Sequence, residues 1–174
     1  MKLVRWKRFT WPLTKLPPLD QSLPAHFITR TATREEARAV AHVVLTAFSL
    51  DSTWSDTLNQ FRERLEMQLD LAFQRETFPA LVITHGPRII ATSVLNTDPE
   101  ADSNLVSGPC VLSEYCNRGL GTTLLHASLK QFAEAGLPRV AGITKENTTS
   151  CKFLYLKFGS ESASCEYAPA LAVT

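Results

Sequence analysis

The residues best suited to chemistry stand in two short stretches. In the first, Arg118-Gly119-Leu120-Gly121 opens a helical pattern carried by Leu120, Leu124, Leu125, Leu129 and Phe132. A glycine has no Cβ, so Gly119 and Gly121 let an anionic group come close to the backbone. The first N–H groups of a helix lack intrahelical partners, and the helix dipole adds about half a positive charge there. Such a helix start is a cradle for phosphate or pyrophosphate. Arg118, Lys152 and Lys157 are the candidates for further positive charge. The third glycine of a dinucleotide fingerprint is absent, because Thr122, Thr123 and Leu124 follow Gly121, and a Gly-Lys-Ser/Thr phosphate loop is absent too.

The second stretch runs from Asn147 through Tyr155 to Gly159. Asn147 reads as a helix N-cap. Taken alone, Tyr155 reads as a half-buried aromatic with its hydroxyl bonded locally. Cys110, Cys116, Cys151 and Cys165 fit no zinc spacing. They read as reduced thiols of a cytoplasmic protein. A thiol nucleophile at Cys110 or Cys116 has no neighbouring histidine in sequence, and buried thiols behave as small hydrophobes.

Elements able to position these residues follow from periodicity. Residues 26–31 form a first strand. Thr33 and Glu36 make a capping box ahead of a helix whose apolar face is Ala37, Val40, Val43, Val44, Ala47 and Phe48. Leu58, Phe61, Leu65, Leu69 and Phe73 mark a second helix. Residues 78–84 and 88–96 form a hairpin across Gly86. Residues 105–112 form a strand bulged at Gly108-Pro109. The third helix stops near Gly136, residues 139–144 form the fifth strand, 147–158 a fourth helix, and 161–174 one or two final strands.

The chain has 174 residues, which is one domain's worth. Its 44% hydrophobic and 20% charged residues exclude a wholly disordered chain. The net charge of +1 gives no drive toward nucleic acid or anionic membrane, and no apolar run is long enough for a transmembrane helix. Residues 1–24 differ from the rest. Lys2, Arg5, Lys7, Arg8 and Lys15 alternate with Trp6, Phe9 and Trp11, and four prolines end the segment. It reads as a basic aromatic arm or edge strand plus linker. Its rings pack on the domain or a second subunit; the alternative is a surface for anionic partners.

Together the two stretches resemble the GNAT superfamily of acetyl-CoA-dependent N-acetyltransferases. Val111, Leu112 and Tyr115 fit its Val-x-Pro-x-Tyr/Phe segment, with Ser113 in place of Pro. Arg118-Gly119-Leu120-Gly121 fits the end of its Gln/Arg-x-x-Gly-x-Gly/Ala motif, with Cys116 in place of the long polar residue. Tyr155 and Gly159 fit Asn-x-x-Ala-x-x-x-Tyr-x-x-x-Gly-Phe, with Ser160 in place of Phe and Thr148 at the Asn position, one after Asn147.

The resemblance implies an α/β (α+β) fold over residues 25–174. A mixed, mostly antiparallel sheet of six or seven strands would be flanked by four helices. It implies acetyl-CoA as co-substrate, a primary amine as acceptor and direct transfer without a metal. Pantetheine would pair with the backbone of Cys110, Val111 and Leu112. The pyrophosphate would rest on the N–H groups of Arg118, Gly119, Leu120, Gly121, Thr122 and Thr123, beside Asn117. Asn147, Ser150 and Lys152 would contribute from the second motif. Tyr155 would be the general acid, and the N–H of Leu112 or Val111 the oxyanion donor. The strand at 105–112 offers no carboxylate as base. Asp98, Glu100, Asp102 and Glu146 read as solvated loop charges, while Asp51 and Asp56 lie where acceptors bind in this family. The other reading is a non-catalytic acyl-CoA sensor or interaction module. A homodimer through an exchanged final strand is a further expectation.

Overall fold

The computed structural model describes residues 4–55 and 57–166. Among these residues seven strands form two antiparallel sheets. The first joins β6 (Arg139–Lys145), β1 (Trp6–Pro12) and β7 (Glu161–Cys165), with β1 in the middle. The second runs β2 (Phe27–Thr31), β3 (Ala80–His85), β4 (Arg88–Val94) and β5 (Cys110–Val111). Helices α1 (Ala37–Leu50), α2 (Leu58–Phe73) and α3 (Leu120–Glu134) and a π-helical turn (Ser150–Leu154) flank them.

The three long helices form where the apolar period predicts. The capping box before α1 forms, with Thr33 N donating to Glu36 Oε1 at 2.9 Å. Arg30 grips the same carboxylate with two bonds of 2.8 Å. Val40, Val43 and Val44 of α1, and Leu120, Leu124, Leu125, Leu129 and Phe132 of α3, are buried in the common core.

The N-terminal segment corrects the expectation of an arm or edge strand. β1 pairs from Trp6↔Lys145 to Pro12↔Arg139 on one side and from Trp6↔Cys165 to Thr10↔Glu161 on the other. Trp6 meets Trp54 and Phe61, while Phe9 and Trp11 meet Tyr155. Residues 6–12 thus belong to the sheet that carries β6, so a domain starting at residue 25 lacks its middle strand. The final segment pairs as β7 through Cys165; any strand after residue 166 lies outside the described residues.

The two sheets touch at one end and part at the other. Asn104, almost fully buried, and Leu105 both donate backbone N–H bonds to Ala141 O at 2.8 and 3.3 Å, and Ala141 N returns one to Asn104 Oδ1 at 3.0 Å. The strand expected over 105–112 is broken beyond this joint. Leu105 faces Leu95, but Cys110 faces Thr92. Two extra residues are therefore looped out around Gly108-Pro109, and β5 turns away from β6 as a bulge dictates.

The expected fourth helix is reduced to one turn. Thr148, not Asn147, starts it: its hydroxyl accepts the Cys151 N–H at 3.1 Å and donates to Lys145 O at 2.9 Å. Asn147 is exposed. Tyr155 N then bonds Ser150 O at 2.8 Å, the i→i+5 step of a π turn. Among the described residues no helix is long and apolar enough to cross a membrane.

Candidate functional site

The parting of β5 and β6 opens a cavity of about 550 Å³. Its walls are the bulge from Leu105 to Val111, Ile143 and Thr144 of β6, the start of α3, the π turn with Tyr155, and the α1–α2 corner. Cys110 and Leu112 lie in bonded pairs with β4, since Leu112 N donates to Ile90 O at 3.0 Å. Bonded and non-bonded pairs alternate along an antiparallel ladder, so Val111 turns its N–H and C=O away from β4 and into the cleft. The carbonyl takes a weak contact from the Cys116 thiol at 3.8 Å. Of the three residues expected to present backbone here, Val111 is the one that does.

At the head of α3, Gly119 has φ +81 and serves as the N-cap. Thr123 N bonds back to Gly119 O at 3.1 Å, so the N–H groups of Leu120, Gly121 and Thr122 are the ones a helix start leaves unpaired. Gly119, Leu120, Gly121 and Thr122 line the cavity with Asn117, itself at φ +63.

Tyr155 is buried, 4% exposed, and lines the same cavity. Its ring meets Phe9 and Trp11 edge-on at 5.5 and 5.3 Å between centroids. Trp11 Nε1 donates to Lys157 O at 2.9 Å, which anchors the chain just beyond the tyrosine. Gly108 sits against the phenol: a Cβ there would stand 2.1 Å from Tyr155 Oη. Burial, and then the Cys110 thiol beside it, push the phenol well above the ordinary tyrosine range.

A family model described as the acetyltransferase (GNAT) family matches residues 22–159. The chain belongs to the GNAT family. Solved structures agree on the fold. A GCN5-related N-acetyltransferase from Sphaerobacter thermophilus is 19% identical with a TM-score of 0.61, over 94% of this chain and 50% of that one. A GNAT-family acetyltransferase from Colwellia psychrerythraea is 17% identical with a TM-score of 0.60, over 93% and 54%. A GCN5-related N-acetyltransferase from Kribbella flavida is 15% identical with a TM-score of 0.56, over 92% and 55%. The chain thus spans about half the length of these structures. A search of curated proteins finds no significant match.

Within this GNAT fold, five residues expected at the site do not line the cavity: Leu112, Arg118, Thr123, Asn147 and Lys152. Leu112 is in the ladder, as above. The Arg118 guanidinium lies 5.3 Å from the Tyr115 ring centroid and donates to Glu114 O at 3.2 Å, so it points back along the chain. Lys157 is on the wall; Lys152 is exposed outside it. Ser150 is on the wall. The linker supplies a residue the motifs did not flag. Gln21 Nε2 donates to Gly119 O at 2.8 Å and to Thr123 Oγ1 at 3.1 Å, while Pro17 O bonds His126 Nε2 at 2.9 Å. No local pattern links position 21 to position 119.

Burial raises all four cysteines above the ordinary thiol range. Burial pushes Cys110 up to about 12, and its S–H points to Ser107 O at 3.7 Å. Cys116 is raised by partial burial and by the charges of Asp51 and Glu114. Neither is poised as a thiolate nucleophile. Among the described residues no group of three or more His, Cys, Asp or Glu could hold a metal ion.

Proposed function

We propose that the chain moves an acetyl group from acetyl-CoA to a primary amine by direct attack, with Tyr155 protonating the departing thiolate. One observation carries this reading. The outward-facing edge of Val111, the unpaired N–H groups at the start of α3 and the Tyr155 side chain all face one cavity. Acetyl-CoA supplies the activated acyl group as a thioester. The N–H groups of Leu120, Gly121 and Thr122 suit its diphosphate. Val111 suits a strand-like pantetheine partner, and its N–H is the donor for the oxyanion. Leu112, whose N–H is already bonded to Ile90 O, is not.

In the transfer the amine nitrogen bonds the acyl carbon and the carbon–sulfur bond breaks. The nitrogen releases a proton to solvent, the sulfur takes one from Tyr155, and the phenolate so formed regains a proton from solvent. Burial keeps the phenol protonated until charge develops on sulfur. The amine must react unprotonated. An α-amine with a pKa near 7.7–8.0 meets that more readily at neutral pH than a lysine-like amine near 10.4.

The test follows thiol release from acetyl-CoA over a panel of primary amines, with coenzyme A binding measured by calorimetry. Tyr155→Phe should lower kcat by about 10²–10⁴ while coenzyme A still binds. An unchanged kcat removes Tyr155 as the acid. Binding without turnover on any amine makes the chain an acyl-CoA sensor. No binding ends the reading.

A further inference from the structure

The linker between β1 and β2 crosses the head of α3, and one of its side chains spans the helix's first turn. Gln21 Nε2 donates to Gly119 O at 2.8 Å and to Thr123 Oγ1 at 3.1 Å. A carbonyl can only accept, so the amide is fixed with its nitrogen toward the helix. Thr123 N already bonds Gly119 O at 3.1 Å. The amide therefore adds a second link across the same turn. The linker is tied down on both sides of position 21. His126 Nε2 donates to Pro17 O at 2.9 Å, and Leu16 and Leu23 pack against the core. Pro17, Pro18 and Pro24 restrict the backbone around them.

This helix start lacks a brace of its own. Its N-cap is a glycine at φ +81, with no side chain to bond the first turn. The common caps Ser, Thr, Asp and Asn accept from the N–H of the second or third helical residue, and so use up donors that an anion would take. Gln21 has the opposite polarity. It donates to a carbonyl and a hydroxyl and takes no N–H, which leaves those of Leu120, Gly121 and Thr122 free of it. These three residues line the cavity, whereas Gln21 and Thr123 do not. Gly119 suits the amide as well as its own backbone angle. A Cβ there would stand 2.8 Å from Gln21 Nε2 and 3.2 Å from Oε1. Position 21 belongs to neither sequence motif of the site.

We infer that Gln21 is a positioning residue for the diphosphate of acetyl-CoA: it braces the first turn of α3 from outside the cavity and leaves that turn's N–H groups to the ligand. This rests on the acetyl-transfer reading above. The brace acts on the half of the ligand that carries phosphate. The pantetheine arm belongs with Val111, on another element, so its binding does not depend on Gln21.

The experiment uses Gln21→Met, which keeps the length of the side chain and removes both N–H donors. Coenzyme A affinity is measured by calorimetry. Pantetheine, which has the same thiol arm without the diphosphate, is measured by ligand-observed NMR. The variant should bind coenzyme A about 10-fold more weakly and bind pantetheine as wild type does. In the thiol-release assay the KM for acetyl-CoA should rise by the same factor with kcat unchanged. In a Thr123→Val background, where one of the two acceptors is gone, the loss from Gln21→Met should shrink. A Gln21→Met protein that matches wild type on coenzyme A overturns the inference. So does an equal loss on pantetheine, a change confined to kcat, or a loss undiminished by Thr123→Val. Wild-type protein that binds no coenzyme A ends the acetyl-transfer reading and the inference with it, a failure distinct from wild-type binding that ignores Gln21.

Discussion

A methyl group placed on Gly108 tests the architecture of the site most directly. Gly108 has φ +62, and an added Cβ would lie 2.1 Å from Tyr155 Oη and 3.4 Å from Cζ. The phenol has little freedom to retreat, because its ring is held by Phe9 and Trp11. A left-handed conformation costs an L-residue roughly 1–2 kcal/mol, and overpacking a filled site roughly 1–3 kcal/mol. Gly108→Ala should therefore lose roughly 2–5 kcal/mol of stability. The two parts can be separated. Tyr155→Phe deletes Oη, and the nearest remaining ring atom is then at an ordinary contact distance. The double variant should recover the steric part, about 1–3 kcal/mol, and keep only the backbone part. Urea unfolding of all four proteins gives the cycle. A Gly108→Ala protein within about 0.5 kcal/mol of wild type, or a double variant no more stable than Gly108→Ala, would refute the close approach of the bulge and Tyr155.

Other consequences follow from single groups. Cys110 is raised from its ordinary 9.0 to about 12, so folding favours its protonated form. That stability is present below pH 9 and lost as pH climbs toward 12. At about 1.4 kcal/mol per tenfold it amounts to about 4 kcal/mol, and Cys110→Ala should flatten the alkaline limb of an unfolding-versus-pH series. Glu36 runs the opposite way: the Arg30 bonds and the Thr33 N–H lower it to about 2, so its contribution is present above its usual range and lost as pH falls toward 2. Glu36→Gln should remove that acid-limb slope, read by thermal melts from pH 5 to pH 2. Thr148→Val breaks the bonds to Cys151 N and Lys145 O and should cost about 1–2 kcal/mol in urea, whereas Asn147→Ala, at an exposed position, should stay within about 0.5 kcal/mol.

The parts of the fold legible in the sequence are those with one wet face and one dry one. The apolar positions of α1 and α3 recur at helical spacing because each helix buries one stripe, and Leu58 to Phe73 gave α2 its bounds for the same reason. β1 broke this rule. Trp6 packs on one face of the strand and Phe9 and Trp11 on the other, so no alternation marked it, and its partners are more than a hundred residues away. The π turn escaped notice for a local reason: Thr148 and Asn147 are both good caps, and only the Thr144 and Lys145 oxygens, brought up by β6, decide for Thr148.

The site was legible in its glycines and illegible in its side-chain directions. Gly119 and Gly108 announce backbone that must bend or be approached closely, and both do so here. Arg118 looked like the natural counter-charge to a diphosphate because it precedes Gly119. Yet a flexible side chain follows the nearest acceptor and ring, which are Glu114 O and Tyr115. Tyr155 shows the reverse dependence. Its sequence neighbours fix only its turn; what aims the phenol at the bulge is the pair of rings on β1, a strand at the other end of the chain. The tyrosine and the N-terminal strand therefore form one mechanical unit, in which the indole N–H of Trp11 holds Lys157 O and its ring holds the phenol. The orientation of the proposed acid thus depends on the sheet closing around β1, and the sequence near Tyr155 contains no trace of that dependence.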